Sequence, residues 1–217
     1  ATNFHGFAWA LLRRYWRLLS LPVNVDELSM VDDSSAVNEL SSRGGRLIWD
    51  EKKVVDNFLR SMRNGQADDL RCRVRSFNRI IKDRFAPNGL LPYSGMISLA
   101  IELLADFSNL RSYLSTAFPV VLVDEAQDTN ALCYIFLKGL LSDESGICMF
   151  GDPIQRVYGF IGAMEGLKTR ATTDLCLSQL ELEHNHRFSG GSIVGELGAA
   201  IRSNMKGVIA GGTPRLP

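Results

Sequence analysis

The chain has 217 residues, of which 46% are hydrophobic and 22% charged, a composition typical of a folded globular protein and not of a disordered chain. Lys and Arg number 24, as do Asp and Glu, so the net charge is zero. This balance excludes a uniformly basic protein, but it leaves a nucleic-acid partner possible, because such binding depends on where the positive charge lies.

Two further classes of protein are not indicated by the sequence. The four cysteines form no C-x-x-C pair, so neither a zinc ribbon nor a redox motif is predicted. No apolar stretch approaches the ~20 residues of a membrane span, and no signal peptide is predicted. We therefore expect reduced thiols, no membrane partner and an intracellular protein, cytoplasmic if the source is bacterial.

The first half of the sequence predicts helices. Apolar residues recur at helical spacing over 4–19, 50–62, 68–85 and 94–104, whereas the acidic, Ser-rich stretch 26–45 predicts a loop or a short helix. Because no strand is predicted between these helices, we expect a small helical subdomain. One helix carries a basic cluster, which is either a solvated helix face or a nucleic-acid-binding surface. Its members are Arg71, Arg73, Arg75, Arg79, Lys82 and Arg84.

The second half changes pattern. Residues 118–123 form a continuous apolar, β-branched run that is typical of a parallel strand buried on both faces. An apolar helix over 131–141 and a second short strand over 146–150 complete a βαβ unit, whose site is expected at the carboxyl ends of the strands. A further strand is predicted over 175–182 and a helix over 192–202.

The first chemical motif follows the first of these strands. Asp124 and Glu125 are adjacent, and adjacent strand residues point to opposite sides, so the two carboxylates can take different roles. One can hold Mg²⁺, and the other can orient and deprotonate an attacking water. The alternative is that an Asp caps the helix that follows. The flanking sequence Gln127-Asp128-Thr129 favours the first interpretation.

The second motif follows the second strand and contains Gly151, Asp152 and Gln155 in a tight loop. Tyr158 and Phe160 come shortly after. Exposed aromatic rings on a loop suit base stacking, which contributes about 1–3 kcal/mol per base in proteins that bind single strands. The alternative is that both rings pack in the core.

The third motif is Asn185-His186-Arg187, which follows a strand-like alternation. An Arg on such a loop can reach a γ-phosphate, although a lone Arg is usually a surface residue. His184 and His186 form an H-x-H pair, but no third ligand cluster accompanies them, so a zinc site is not predicted.

Together these motifs resemble motifs II, III and IV of the UvrD/Rep family of superfamily 1 DNA helicases. Motif II corresponds to Asp124–Thr129, motif III to Gly151–Ala163 and motif IV to Leu182–Arg187. Upstream, Thr2-Asn3-Phe4-His5-Gly6-Phe7-Ala8 resembles the family's Thr-Phe-His-Gly-like, DNA-contacting motif, with Asn3 as a departure. Ile161 stands where motif III commonly has Arg, and His186 where the family often has Tyr.

The resemblance implies an α/β fold, namely a RecA-like P-loop NTPase core with a partial parallel sheet and an inserted small helical subdomain. Residues 1–20 and 106–180 would belong to the first RecA-like core, with motifs II and III on the strands of the second range. Residues 21–105 would form the helical insert. Residues 181–217 would carry motif IV and begin the second RecA-like core.

The resemblance also implies roles at the nucleotide. Asp124 would bind Mg²⁺, and Glu125 would be the general base for the attacking water. Gln127 and Gln155 would sense the γ-phosphate and couple it to DNA, and Arg187 would contact the γ-phosphate from the second core.

Further roles concern the adenine and the DNA. Asp152 and His186 would also contribute to nucleotide binding, with the His186 ring against the adenine. Thr2 and His5 would lie near the DNA backbone. The stacking residues for single-stranded DNA would be Tyr158 and Phe160.

The activity implied is that of an ATP-dependent DNA helicase, a 3′-to-5′ translocase with ATP and Mg²⁺ as cofactors and single-stranded DNA as partner. The sequence contains no G-x-x-x-x-G-K-[S/T] loop, which the family places before the Thr-Phe-His-like motif. We therefore expect an internal fragment that does not hydrolyse ATP in isolation. Two alternatives stay open: a degenerate helicase-like module that binds nucleic acid or protein without turnover, and an unrelated α/β protein.

Overall fold

The structure is a computed structural model that describes residues 1–152, 155, 162–164, 166–181 and 200. The chain divides into two compact units. The first comprises Ala1–Gly151 and Val157–Glu165, and the second comprises Asp152–Arg156 and Gly166–Pro217.

The described part of the first unit is mostly helical. Its helices are α1 (Phe4–Tyr15), α2 (Ala36–Ser42), α3 (Trp49–Arg63), α4 (Ala67–Ile80), α5 (Tyr93–Asp106), α6 (Ser108–Ala117) and α7 (Ala131–Leu140). Its strands are β1 (Ser29–Val31), β2 (Leu90–Pro92), β3 (Val120–Val123) and β4 (Gly146–Met149). In the second unit the described residues include helix α8 (Leu167–Asp174). The fold class is therefore α/β, as predicted, with helices predominating over two small parallel sheets.

Side-chain caps fix where several helices begin. The Asn3 side chain accepts a hydrogen bond from the Gly6 N–H at 2.7 Å and so starts α1. At α3 the Glu51 carboxylate accepts from the Ile48 N–H at 2.9 Å. The helical path of α4 continues through a π-helical turn over Ile81–Phe85 and ends at Gly89, whose φ of +69° favours glycine.

Helix α5 forms the centre of the core. Its residues from Ser94 to Ile101 are all buried, as are Leu103 and Leu104, and it packs against α1, α4 and α7. A helix that is apolar on nearly every side is stable only when it is covered on all of them. Helices α3 and α4 are joined by stacked rings of Phe58 and Phe77, whose centroids lie 3.8 Å apart.

A small parallel sheet lies among the helices of the first half. Strand β1 pairs with β2 so that Ser29 is opposite Leu90 and Val31 is opposite Pro92. The prediction that no strand separates these helices is therefore wrong. Each strand has three residues, which is too short for alternation to show, and the pairing joins segments that are distant in the sequence.

The second sheet confirms the predicted βαβ unit. Strands β3 and β4 are parallel, with Val120 opposite Gly146 and Val123 opposite Met149, and α7 connects them. The prediction that the first strand is buried on both faces is wrong for the described residues. Val120 is 61% and Leu122 is 67% exposed, because no described element covers their face of this two-stranded sheet.

Two predicted elements lie further along the chain. The strand predicted over 175–182 is wrong for its described part, because residues 175–181 pair with no described strand and Leu180 is 90% exposed. Alternation of apolar and polar residues favours a strand only where a neighbouring strand and a packed face are available, and the described residues supply neither here. The helix predicted over 192–202 lies outside the described residues except for Ala200, which is helical. None of the described helices is long and apolar enough to cross a membrane.

Candidate active site

The carboxyl end of β3 presents two adjacent carboxylates. Asp124 and Glu125 follow the last residue of the strand, and both are exposed. Oδ1 of Asp124 accepts a hydrogen bond from the Glu125 N–H at 3.0 Å. Glu125 has a left-handed backbone, with φ +50° and ψ +41°, which costs roughly 1–2 kcal/mol for a residue other than glycine. The chain thus turns sharply at the residue that carries the second carboxylate.

Gln127 holds one oxygen of that carboxylate. Its side chain is buried, and Nε2 donates to Oε2 of Glu125 at 2.6 Å. Because the donor is a neutral amide, this contact orients Glu125 without adding a positive charge. The carboxylate remains exposed on its other side and can accept a hydrogen bond from a water or a ligand.

The carboxylates do not cap the next helix. Asn130 is the N-cap of α7, and its side chain accepts from the Cys133 N–H at 2.8 Å. The N–H groups of Asp128 and Thr129 donate to the backbone carbonyls of Glu125 and Ala126. The capping alternative for Asp124 and Glu125 is therefore wrong, and the sequence signal that was missed is the Asn immediately before the apolar helix.

Asp128 adds a further oxygen donor. Its Oδ1 is buried and has no hydrogen-bond partner among the described residues, whereas buried polar atoms are nearly always paired. Carboxylate oxygens are the donors that Mg²⁺ prefers, and Mg²⁺ usually takes one or two of them together with waters and phosphates. The described residues contain no cluster of three His, Cys, Asp or Glu that could hold a metal ion by themselves, so Mg²⁺ here would need its remaining ligands from waters and phosphates.

The ends of β3 and β4 are tied together. The Phe150 N–H donates to the Val123 carbonyl at 2.7 Å, and the Ala126 N–H donates to the Phe150 carbonyl at 2.8 Å. Gly151 lies so close to Gln127 that an added Cβ would be 2.7 Å from Oε1 of that side chain. Sequence reasoning predicted a tight loop here but missed this contact, which a glycine directly after an apolar strand can indicate.

The sequence matches the model of a known protein family over most of its length. The family model described as "UvrD/REP helicase N-terminal domain" matches residues 2–174. The chain belongs to the UvrD/Rep helicase family.

Curated relatives agree with this assignment. The chain is 26% identical over 216 residues to "DNA helicase II" of Escherichia coli (strain K12), an alignment that covers 93% of this chain and 29% of the relative. It is 26% identical over 219 residues to "ATP-dependent DNA helicase Rep" of Buchnera aphidicola subsp. Baizongia pistaciae, covering 94% and 32%. It is 24% identical over 206 residues to "Probable DNA helicase II homolog" of Rickettsia conorii, covering 85% and 31%. The chain thus spans about a third of the length of these relatives.

The UvrD/Rep motif after β4 is described in part. Nε2 of Gln155 donates to Oδ2 of Asp152 at 2.8 Å, and the Gln155 N–H donates to the Asp152 carbonyl at 2.9 Å. These two residues thus form one turn of the second unit. Tyr158, Phe160, His186 and Arg187 lie outside the described residues, and their predicted roles stay predictions.

The UvrD/Rep motif near the N-terminus opens α1. Thr2 is exposed, and the hydroxyl of Thr2 donates to the Asn3 carbonyl at 3.4 Å. His5 is only partly exposed, and its ring lies 6.2 Å from that of Tyr93 in an edge-to-face arrangement. Burial lowers the pKa of His5. The nearby Asp33 carboxylate has the opposite effect, but the effect of burial is larger, so the pKa lies below its usual value. A neutral His5 is therefore favoured relative to a free histidine.

Asp33 joins this N-terminal region to α5. Its Oδ1 accepts hydrogen bonds from the Ser94 N–H at 3.0 Å and the Ser94 hydroxyl at 2.8 Å. Burial raises the pKa of Asp33, although these hydrogen bonds and His5 lower it. Sequence reasoning missed Asp33 because its partners lie far along the chain.

The predicted basic cluster is largely neutralised. Five of its six members pair with carboxylates, which supports the interpretation as a solvated helix face. The pairs are Arg73–Asp69, Arg75–Asp106, Arg79–Asp83, Lys82–Glu102 and Arg84–Glu51.

Proposed function

We propose that this chain is part of an ATP-dependent DNA translocase, which couples hydrolysis of Mg-ATP to 3′-to-5′ movement along single-stranded DNA. The observation that carries the proposal is the exposed Glu125 carboxylate at the end of β3, held by Gln127 at 2.6 Å. Membership of the UvrD/Rep family supports it, as does the printed name of one relative, "ATP-dependent DNA helicase Rep".

The β3–α7–β4 unit supports a RecA-like core. In open parallel sheets the chemistry lies at the carboxyl ends of the strands, and there the chain carries Asp124 and Glu125. On this proposal residues 1–20 and 106–180 belong to the first core. Residues 21–105 are inserted into it, and 181–217 begin the second.

Glu125 acts as the general base. A base must lie within hydrogen-bond reach of the attacking water, and such a base contributes typically 10²–10⁴-fold to rate. Gln127 donates to Oε2, which leaves Oε1 of the exposed carboxylate to accept a hydrogen bond from the attacking water. The left-handed turn at Glu125 sets the direction in which the carboxylate leaves the strand.

Asp124 would hold Mg²⁺ through its exposed carboxylate. When bound, Mg²⁺ neutralises charge on the transferred phosphate. Asp124 already accepts a hydrogen bond from the Glu125 N–H, which orients its carboxylate. Its exposure leaves room for waters and phosphate oxygens around it.

Gln127 couples the nucleotide to the following loop. It contacts Glu125 through its amide nitrogen and approaches Gly151 with its amide oxygen, so a change at the phosphate reaches both strand ends. Beyond Gly151 the chain runs on to Asp152 and Gln155, which contribute to nucleotide sensing. His186 and Arg187 act on the adenine and the γ-phosphate from the second core.

Single-stranded DNA contacts the motif residues at two places. Thr2 offers an exposed hydroxyl to the backbone, and a neutral His5 offers a ring N–H in place of a cation. Tyr158 and Phe160 stack on unpaired bases.

The decisive experiment uses the protein expressed from its complete reading frame. We expect ATPase activity that single-stranded DNA stimulates, and Glu125→Gln should reduce it at least about 100-fold while nucleotide binding persists. Glu144→Gln is the matched control, since Glu144 is an exposed residue near the opposite end of β4, and it should retain activity. Normal turnover in Glu125→Gln would remove that residue from the role of base. DNA binding with no hydrolysis by the parent would favour the degenerate binding module instead.

A further inference from the structure

The outer face of α3 carries a continuous polar and aromatic stripe. Its members are spaced as one side of a helix, and they line a shallow groove. They are Trp49, Lys52, Lys53, Asp56, Asn57 and Arg60. The other side of α3 is anchored in the core through Val55 and Phe58, which are 3% and 0% exposed, so the stripe is held on a firm support.

Trp49 projects from the start of this stripe. Its side chain is 72% exposed, so it contributes little to the core, and the neighbouring Ile48 is 57% exposed. Nζ of Lys53 lies over one face of the Trp49 ring, 5.2 Å from its centroid, which places a cation on that face and leaves the other face to a partner. Trp has a large flat apolar surface, so covering it with a flat partner removes much apolar area from water.

The cations of the stripe are not neutralised within the described part of the chain. No described carboxylate lies within 4.0 Å of the charged groups of Lys52, Lys53 or Arg60, although Asp56 lies on the same face. The basic residues of α4 behave differently, since most of them are paired. Three cations against one carboxylate leave the stripe positive, which suits a partner with regularly spaced negative charges.

We propose that this stripe binds single-stranded nucleic acid, with a base stacked on Trp49 and phosphates on Lys52, Lys53 and Arg60. The stripe is about 16 Å long, at 1.5 Å per residue. A single strand is the occupant because an exposed indole on a helix face can stack only on a base that is already free of its neighbours. This inference rests on the proposed function in one respect, namely that nucleic acid is the substrate. The α3 stripe would be a DNA contact in addition to those of the helicase motifs.

The test uses the complete protein and a fluorescently labelled oligothymidylate, with anisotropy measured over a range of salt concentrations. Trp49→Ala should weaken binding about 10-fold, within the range for one lost stacking contact, and Trp49→Phe should restore most of the affinity. The triple change Lys52→Gln, Lys53→Gln and Arg60→Gln should reduce the salt slope by about 2, at about 0.7 per phosphate contact on a single strand.

The matched control removes the same charge from α4. Arg73→Gln, Arg75→Gln and Arg79→Gln neutralise three cations that are paired, so affinity and salt slope should stay at the parent's values. Circular dichroism and thermal midpoints establish that every variant is folded. The stripe is on the exposed side of α3, so these variants should fold.

The outcomes separate this inference from the proposed function. Unchanged affinity in Trp49→Ala and in the α3 triple variant, with a parent that binds DNA, would overturn the inference and leave the proposed function standing. Equal losses in the α3 and α4 triple variants would also overturn it, because the effect would then be one of total charge. A parent that fails to bind DNA would overturn both.

Discussion

Gln127 and Glu125 are two positions apart, yet one side chain is buried and the other exposed, and a 2.6 Å hydrogen bond joins them. The left-handed backbone at Glu125 makes this possible, because it redirects the chain between the strand and the turn. The buried amide thereby fixes an exposed carboxylate, and this pairing is the basis of the first prediction.

Replacing Gln127 with Ala should lower the ATPase rate of the complete protein at least about 10-fold while nucleotide affinity changes little, because the base loses its orientation. Steady-state kinetics together with nucleotide titration separate the two effects. Gln179→Ala is the control, since Gln179 also donates to a Glu two positions on, at 3.2 Å, but is exposed. A fall in affinity with an unchanged rate would contradict the assigned role.

Gly151→Ala should destabilise the protein by about 1–3 kcal/mol, the usual cost of overpacking. The new Cβ would lie 2.7 Å from Oε1 and 3.1 Å from the backbone nitrogen of Gln127, so both the Gln127 side chain and the backbone beside it would have to shift. Urea unfolding measures the change. Gly139→Ala is the comparison, because its nearest side-chain atom is 3.4 Å away within α7, and there alanine should be neutral or stabilising by up to about 1 kcal/mol. Equal effects at both positions would show that contact with Gln127 is unimportant.

Asn130→Ala should cost about 0.5–2 kcal/mol of stability, because it removes the N-cap of α7. Asp124→Ala should change the free energy of unfolding by less than about 0.5 kcal/mol, as expected of an exposed residue outside the cap. Chemical denaturation gives the free energy of unfolding of each variant and so shows which residue caps α7. The reverse order would return Asp124 to the capping role that the structure assigns to Asn130.

His5 should make stability depend on pH. Burial holds its pKa below the usual 6.5, so the unfolded chain binds this proton more readily than the folded chain does. Its contribution is therefore fully present above pH 6.5 and is lost as the pH falls from 6.5 towards the lowered pKa. Unfolding free energies at pH 7.5 and 5.5 should differ less in His5→Gln than in the parent, and an equal difference would contradict the prediction.

Asp33 acts in the opposite sense, and the comparison with His5→Gln is needed for that reason. Burial raises the pKa of Asp33 above its usual 3.8, so its contribution is present below pH 3.8 and is lost as the pH rises through the raised pKa. The difference between parent and variant therefore reports the contribution of His5 together with its interaction with Asp33.

Tyr158→Ala combined with Phe160→Ala should weaken single-strand binding by several kcal/mol at most, given about 1–3 kcal/mol per stacked base. Anisotropy with the same oligothymidylate measures this loss. Tyr113→Ala supplies a control, since Tyr113 is an exposed ring at 55% on α6, outside every motif. Unchanged affinity in the double variant would return both rings to the core.

The sequence predicted well those elements whose signal is local. Helices α3 and α5 follow from apolar spacing and composition, and the β3–α7–β4 unit follows from two apolar runs separated by a helix. The carboxylates Asp124 and Glu125 were placed correctly at the end of a strand because a short apolar run stops there.

Features that depend on distant partners could not be predicted in this way. Strands β1 and β2 are too short to show a period, and only their pairing defines them. Asp33 gains its hydrogen bonds from Ser94, far along the chain. The close approach of Gly151 to Gln127 likewise depends on how two strands align. The exposure of Val120 was missed because an apolar run specifies a preference for burial but not what covers it.

The exposed apolar face of β3 affects how the chain behaves in solution. Val120 and Leu122 lie on one side of the strand, and Phe118 and Phe150, each 48% exposed, flank the sheet. Such a surface on a short two-stranded sheet is prone to bury itself against another molecule. We therefore expect the isolated 217-residue chain to self-associate reversibly as its concentration rises, so its sedimentation coefficient should increase with loading concentration. Replacing Leu122 with a charged residue should suppress that increase without changing the helix content of the chain.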